Sequence, residues 1–390
     1  MNFMTPMILT GVVCFSSAGL PAMAQMVNVP FDSDQWIIRD DDARGEEHMG
    51  RQCLFLQDGE AWLKDVDMRD GVIEVDIAPR GEGSGQPTPD GPGALFTGVI
   101  FRVQEPGEFE DIYIRHHQSD KDAATQYTPR FHDMSAWQLY TGGGYTANAS
   151  IPQDRWIHLK VVVEGLHAKL YIDGADKPAL TTARLRRGDS SGSVGVQALL
   201  GGYFTNFRYT PMERSEEVAA AVAKPAPQPP ADTISTWQIS KKLWEYSKTQ
   251  CDAYPGAEAL AAMTWKTVAS DETGLVNISR DHPHPGDPTG VYARAIIHSE
   301  TDQVKKVYFG YSDEISIFCN GQILFTGNCL FHSREPTFLG VVRGKSPTGF
   351  DAVYLDLKEG ENELFIASSE AFGGWGFRFI FDDKEGLTFR

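Results

Sequence analysis

The chain has 390 residues, of which 41% are hydrophobic and 23% charged. That composition excludes a disordered chain, and the length suits two units of about 150 to 190 residues better than one small sandwich. With 53 acidic against 35 basic residues the net charge is −18, which argues against nucleic acid and against anionic membrane surfaces as partners.

In chain order, residues 1–25 read MNFMTPMILTGVVCFSSAGLPAMAQ and end in Ala22-Met23-Ala24, an A-x-A cleavage pattern. The sequence therefore predicts a signal peptide and export to the periplasm or the medium. Ser16, Ser17, Gly19 and Pro21 interrupt the apolar run before about 20 apolar residues accumulate, so no membrane insertion is expected. Residues 28–211 are a series of short alternating segments: GVIEVDIAP, FTGVIFRV, FEDIYIRHH, MSAWQLYTGGG, WIHLKVVVEGLHAKLYIDG, SGSVGVQAL and YFTNFRYT. Many strands with turns every eight to twelve residues predict a two-sheet sandwich. Residues 212–232, rich in Ala and Pro, are the linker, and KPAPQPP (224–230) within it predicts an extended, semi-rigid spacer. Residues 233–390 return to strands (VYARAIIHSE, KKVYFGYSD, ISIFCNGQILF, AVYLDL, NELFIASSE), with one short helix expected at 255–263. The fold class is thus all-β, two sandwich or jelly-roll domains joined by the linker.

Export permits disulfides among Cys53, Cys251, Cys319 and Cys329. Asn320-Gly321 is a strong two-residue hairpin signal, and a straight hairpin carries Cys329 too far past Cys319 for a bridge. Cys251 with one of those two, or buried thiols throughout, both stay open.

The run from Trp156 to Gly174, a Trp-led strand turning into L-Y-I-D-G, resembles the strand pair of concanavalin A-like and laminin G-like sandwiches. The whole of 28–211 resembles the bacterial, exported 3-keto-disaccharide hydrolase-like branch of that group. LKEGENELFIASSEAFGGWGFRFIF, with Asn320-Gly321 and Gly360-Glu361-Asn362, resembles galactose-binding-like jelly rolls, the non-catalytic modules attached to many glycosidases. These resemblances imply carbohydrate as the ligand and a concave sheet as the ligand face. They also imply hydrolysis of a glycan or 3-keto-disaccharide if the chain is an enzyme.

Glu74 and Asp76 lie two apart on one strand and share its non-core face. Related glycosidases use E-x-D-x-x-E or E-x-D-x-E, and the third carboxylate is missing here. If catalysis occurs, Glu74, Asp76 and Arg115 are the acid/base and electrostatic candidates. Alternation places Asp111, Tyr113 and Arg115 outside in FEDIYIRHH, and Gln138 and Tyr140 opposite Trp137 and Leu139 in SAWQLY. On neighbouring strands of one sheet, Tyr113, Arg115, Gln138 and Tyr140 with Glu74 and Asp76 make a polar and aromatic surface of the kind sugars need. The segment QYTPRFHDMSAWQLY reads as a binding loop carrying Gln126, Tyr127, Arg130, His132 and Trp137. His116-His117 face opposite ways and cannot chelate together. His282 and His284 share a side of an extended loop without a third ligand, so no metal is assigned. No cofactor motif and no nucleophile motif occurs, and Gly142-Gly143-Gly144 reads as a turn. Arg334-Glu335 and 370–375 are candidate edge-site segments of the second half. The leading expectation is an exported carbohydrate-recognition protein without a complete catalytic set, ahead of a hydrolase and of a cell-envelope adhesion or scaffold protein.

Overall fold

The computed structural model describes residues 25–79, 95–245, 252–283, 289–330 and 351–389. The predicted signal peptide, Cys251, His284 and Arg334-Glu335 lie outside the described residues. The all-β expectation holds: the described residues form four antiparallel sheets.

The first sheet runs in the order Leu180–Thr181, His167–Ile172, Ile157–Glu164, Gly71–Ala78, Gly202–Pro211, Arg51–Leu56 and Arg44–His48, with Val27–Asn28 also paired to Gly202–Pro211. The second runs Met134–Ser135, Thr125–Phe131, Glu108–Arg115, Phe96–Glu105, Ser193–Leu199, Gly59–Leu63 and Trp36–Arg39, with Thr146–Ala147 on Thr125–Phe131. Alternation explains why the two stack. Ile73, Val75 and Ile77 from the first sheet meet Val99, Phe101, Ile112, Ile114, Val194 and Val196 from the second in one apolar cluster, all fully buried. The direction of Arg102, ambiguous from parity, is settled by a register slip in Phe96–Glu105. Arg102 sits at φ 53° and turns its side chain into the protein, where it is 1% exposed.

The third sheet runs Trp265–Ala269, Thr236–Ser240, Thr289–Ser299, Gly360–Glu370, Glu314–Cys319 and Gln322–Asn328, with Trp244–Glu245 and Leu387–Phe389 also on Thr289–Ser299. The fourth runs Val276–Asn277, Gly376–Phe381, Gln303–Ser312 and Asp351–Leu357. The Asn320-Gly321 hairpin forms as expected, both residues at positive φ (49° and 78°). It is clasped to the Gly360-Glu361-Asn362 turn. Asn320 Nδ2 donates to Asn362 Oδ1 at 2.9 Å, and Asn362 Nδ2 donates back to the Lys358 carbonyl at 2.7 Å.

Within the linker, Glu216–Val222 is a helix, because Ser215 caps it (Oγ accepts from Val218 N at 3.2 Å) and EEVAAAV is a strong helix former. No helix or strand forms over 224–230, the Pro-rich part. The binding loop at 126–131 is instead part of a strand, followed by a hairpin turn at His132-Asp133 (φ 54° and 66°). Cys53, Cys319 and Cys329 are buried thiols, in line with the second of the two alternatives open for the cysteines. The short helix occurs at Ala257–Ala262. The two sheet pairs exchange side chains: Leu275 belongs to the first apolar cluster and Met134 to the second. Buried Arg186 crosses the same boundary to Asp271 (3.1 Å) and Glu272 (2.8 Å). Among the described residues no helix is long and apolar enough to cross a membrane.

Candidate functional site on the second sheet

The structure separates the residues that the sequence places on one surface. Glu74 and Asp76 face outward from the first sheet, whereas Tyr113 and Arg115 belong to the second, on the far side of the sandwich. Glu74 and Asp76 are also fully engaged. His158, the residue opposite Asp76 on the neighbouring strand, bridges them, with Nδ1 2.8 Å from Asp76 and Nε2 3.2 Å from Glu74. Arg208 forks onto Glu74 at 2.9 and 3.0 Å, and Arg51 and Asn206 each reach Asp76 at 2.7 Å. Arg208 holds Glu74 below the usual carboxylate range. His158 and Asn206 hold Asp76 low against its burial, and Asp76 raises His158. A cavity of about 740 Å³ opens beside them where Val27–Asn28 and Arg51–Leu56 leave a gap along Gly202–Pro211. Its cations are likewise spent, Arg208 on Glu74 and Arg44 on Glu46. This is a stabilising ion cluster, and His158 had no signal in the sequence beyond its parity on the strand.

The sign of its pH dependence follows. A histidine whose folded pKa is raised adds stability below its unfolded pKa, and that stability is lost as pH rises through the folded value. His158→Gln is expected to cost about 1 kcal/mol at pH 5.5 and clearly less at pH 9, read from thermal midpoints at both pH values. An equal cost at both would show that the bridge is not ionic.

The outer face of the second sheet is different. One lateral row of paired residues crosses it: Gln126, Tyr113, Gly98, Gln197, Glu60 and Arg39. The next row is Thr128, Asp111, Ile100, Gly195, Trp62 and Ile37. Paired residues in an antiparallel sheet share a face, so these rows put Asp111, Glu60, Gln197, Tyr113 and Gln126 together. Gly98 and Gly195 are required by close approach. A Cβ on Gly98 would lie 2.4 Å from the Ile112 carbonyl, and one on Gly195 2.0 Å from that of Ala61. They leave the middle of each row without a side chain.

Asp111 is the outstanding group. It is 1% exposed, and the Gln197 amide approaches its carboxylate oxygens without closing a well-aligned hydrogen bond. Burial pushes it up to about 7, against the opposing pull of Arg130 and with a further push from Glu60. At neutral pH it therefore exists as both acid and anion. Burial also raises Glu60, which Arg39 pairs at 3.0 Å, and Arg39 forks onto Asp133 at 2.6 and 2.8 Å. The Nε atoms of Arg115 and Arg130 are likewise buried without a hydrogen-bond partner. Buried polar groups are normally satisfied, and on this face the Asp111 carboxylate and the Nε atoms of Arg115 and Arg130 fall short of that.

Of the residues expected to bind, four come together. Tyr113 Oη donates to Gln126 Oε1 at 2.8 Å, and Arg115 Nη2 reaches Tyr113 Oη at 3.2 Å and also Gln126 Oε1. Gln126 Nε2 donates to the carbonyls of Trp137 (2.8 Å) and Tyr140 (2.9 Å), and the Arg115 guanidinium lies 5.4 Å from the Trp137 ring centre. The other three do not join them. Tyr127 points to the opposite side of its strand, into the sandwich core, where its hydroxyl donates to buried Glu110 at 2.5 Å. Residues 136–140 form a turn, with the Ala136 carbonyl accepting from Leu139 N and Tyr140 N, so the alternation read into SAWQLY fails. Tyr140 consequently enters the core, and Gln138 is consumed by the second half of the chain. Its Nε2 donates to the Phe372 carbonyl at 3.0 Å, and Ser312 Oγ donates to its Oε1 at 2.8 Å.

Glu60 and Gln197 are the members of the face that sequence reasoning missed; Asp111 is outward by its parity with Tyr113 and Arg115, but nothing local marks it as a site residue. His116 is buried against Thr97 at 2.9 Å, and the His117 ring accepts from Leu95 N at 3.3 Å. Among the described residues no three metal-ligating side chains gather. Gly142–Gly144 is a turn, its Gly142 carbonyl accepting from Tyr145 N and Thr146 N.

No family model matches the chain, and no curated protein matches it. Among solved structures it is similar to a carbohydrate binding module, CBM66, from Bacillus subtilis, with 14% identity over 45% of this chain and 95% of that one (TM-score 0.34). A β-glucanase from Bacillus licheniformis shows 11% identity over 48% of this chain and 98% of its own (TM-score 0.33). Domain 4 of AbnA, an extracellular arabinanase from Geobacillus stearothermophilus in complex with arabinotriose, shows 12% identity over 52% and 88% (TM-score 0.27).

Proposed function

We propose that the protein is an exported carbohydrate-recognition protein that holds its ligand at the outer face of the second sheet. The observation that carries this reading is the convergence there of buried Asp111, held only by a poorly aligned Gln197 amide, with the unpartnered Nε atoms of Arg115 and Arg130, beside Tyr113 and Gln126. Sugar hydroxyls donate to a carboxylate and accept from a guanidinium, so a polyol satisfies all three groups at once. Trp137 supplies the flat apolar surface that the C–H faces of a sugar ring require. The reading is tested by calorimetric titration of the chain from Gln25 onward with a panel of soluble oligosaccharides. Arg115→Ala is expected to weaken binding at least tenfold with an unchanged melting temperature. A panel that shows no binding to the unsubstituted chain would discard the reading.

A second reading, cleavage of the bound glycan, is favoured by Asp111 alone. Held near neutrality beside Glu60, its acid form can give a proton to the leaving oxygen as the glycosidic C–O bond breaks. Water then delivers hydroxide to the anomeric carbon and its remaining proton to the Glu60 carboxylate. On this reading the acid/base pair is Asp111 and Glu60 in place of Glu74 and Asp76. The same titrations, followed for products, decide it: products from the unsubstituted chain support cleavage, and binding without products leaves recognition alone.

A further inference from the structure

The geometry points to a ligand site shared between the two halves of the chain, with Phe372 of the second half supplying a stacking platform for a second sugar ring. This inference rests on the recognition reading above and extends it to ligand length. The turn 371–374 meets the first half at its 136–140 turn. Gly373 presses so closely there that a Cβ would fall 2.5 Å from Gln138 Nε2 and 2.8 Å from Trp137 Nε1. Its carbonyl accepts from Gln138 N at 2.9 Å. Gln138 also binds the Phe372 carbonyl and Ser312, so its backbone N–H and both side-chain polar atoms are given to the second half.

The turn is held from behind by two buried carboxyl groups. Asp313 accepts from Ala371 N and Phe372 N, both at 2.8 Å, and Glu370 accepts from Gly374 N at 2.9 Å. A carboxylate is costly to bury, so two of them on one turn mean that its conformation is tightly specified. What the turn presents is Phe372, 53% exposed, at the boundary between the halves. Its ring centre is 6.0 Å from that of Trp137, at 62° to it. Trp137 in turn carries Arg115 over its ring, so the aromatic pair is continuous with the polar row that ends in Arg115, Tyr113 and Gln126. The neighbouring Trp375 is fully buried core, so exposure of Phe372 is not a general property of this segment. A glycan with one ring over the Arg115–Asp111 face therefore places its neighbouring ring against Phe372. Single sugars use half of the site and chains of two or more rings use all of it.

The experiment is calorimetry on the full chain with cello-, xylo- and arabino-oligosaccharides of one to four rings. Affinity is expected to rise about tenfold from one ring to two, equivalent to about 1.4 kcal/mol. Phe372→Ala is expected to remove that rise and leave single-ring affinity intact, and Phe372→Trp to keep it. Arg115→Ala lowers affinity at every length. Exposure of Phe372 lets both of its variants fold, and an unchanged melting temperature checks this. Equal gains with length in the unsubstituted chain and in Phe372→Ala would overturn the shared site while leaving recognition standing. Absence of binding at any length in the unsubstituted chain would overturn both.

Discussion

Asp111→Asn is expected to make the protein more stable at pH 8 while destroying its ligand affinity. The folded chain holds the Asp111 proton up to about 7, against an ordinary value of 3.8. Between those pH values the folded state binds more protons than the unfolded state, so stability falls as pH rises, and the loss is complete above about 7. A difference of roughly three pKa units corresponds to about 4 kcal/mol. The amide carries no charge to bury but brings a donor that must find a partner, so the net gain at pH 8 is about 2 to 3 kcal/mol. At pH 4 the carboxyl is protonated in the folded chain, and the substitution gains nothing. Calorimetric melting at pH 4 and pH 8 checks this. A midpoint shift of the same size at both pH values would show that Asp111 is not the buried acid described here. A stabilising substitution that removes binding is the signature of a group retained for its task at the expense of the fold.

Arg102→Met is expected to have the largest effect of the opposite kind. The guanidinium donates to the carbonyls of Arg69 (3.0 and 3.1 Å), Gly165 (2.6 Å) and Gly188 (2.9 Å), and touches Asp70 at 3.4 Å. It thereby joins the Ile157–Glu164 hairpin turn to the segments before Gly71 and after Leu185. Removing it leaves three carbonyls short of a donor in a buried place, while Asp70 keeps Arg214 at 2.6 Å. The cost is about 3 to 5 kcal/mol, a fall of about 10 °C in the melting temperature. Because the residue lies away from Asp111 and Arg115, the folded fraction is expected to bind sugar as before. A fall of only a degree or two would mean that water satisfies those carbonyls.

The strands were legible because their alternation is local. GVIEVDIA buries Ile73, Val75 and Ile77 as its pattern dictates, and Asn320-Gly321 turns where only positive φ fits. What was not legible is which strands become neighbours. Glu74 and Tyr113 have the same outward parity in sequence, yet they lie on opposite sheets, since pairing is decided by contacts far along the chain. The row through Gln126, Tyr113, Gly98, Gln197 and Glu60 draws on five separate segments, so Gln197 and Glu60 carried no local mark. Tyr127 was misplaced because its segment was read as a loop. The hairpin turn after it uses His132-Asp133, a pair without the usual Gly, and so gave a weak signal. Tyr140 and Gln138 were misplaced because Ala136 closes a turn whose partner is the second half of the chain.

The exchange of Met134 and Leu275 between the two cores has a dynamic meaning. A Pro-rich connector over 224–230 ordinarily leaves the modules it joins free to swing. Here any swing must draw Leu275 out of the first core and Met134 out of the second, at about 1.5 to 3 kcal/mol for each side chain. It must also part Arg186 from Asp271 and Glu272 in a buried place. The connector thus acts as a strap over a closed joint, and the outer face of the second sheet and the turn at Phe372 keep one fixed relation to each other.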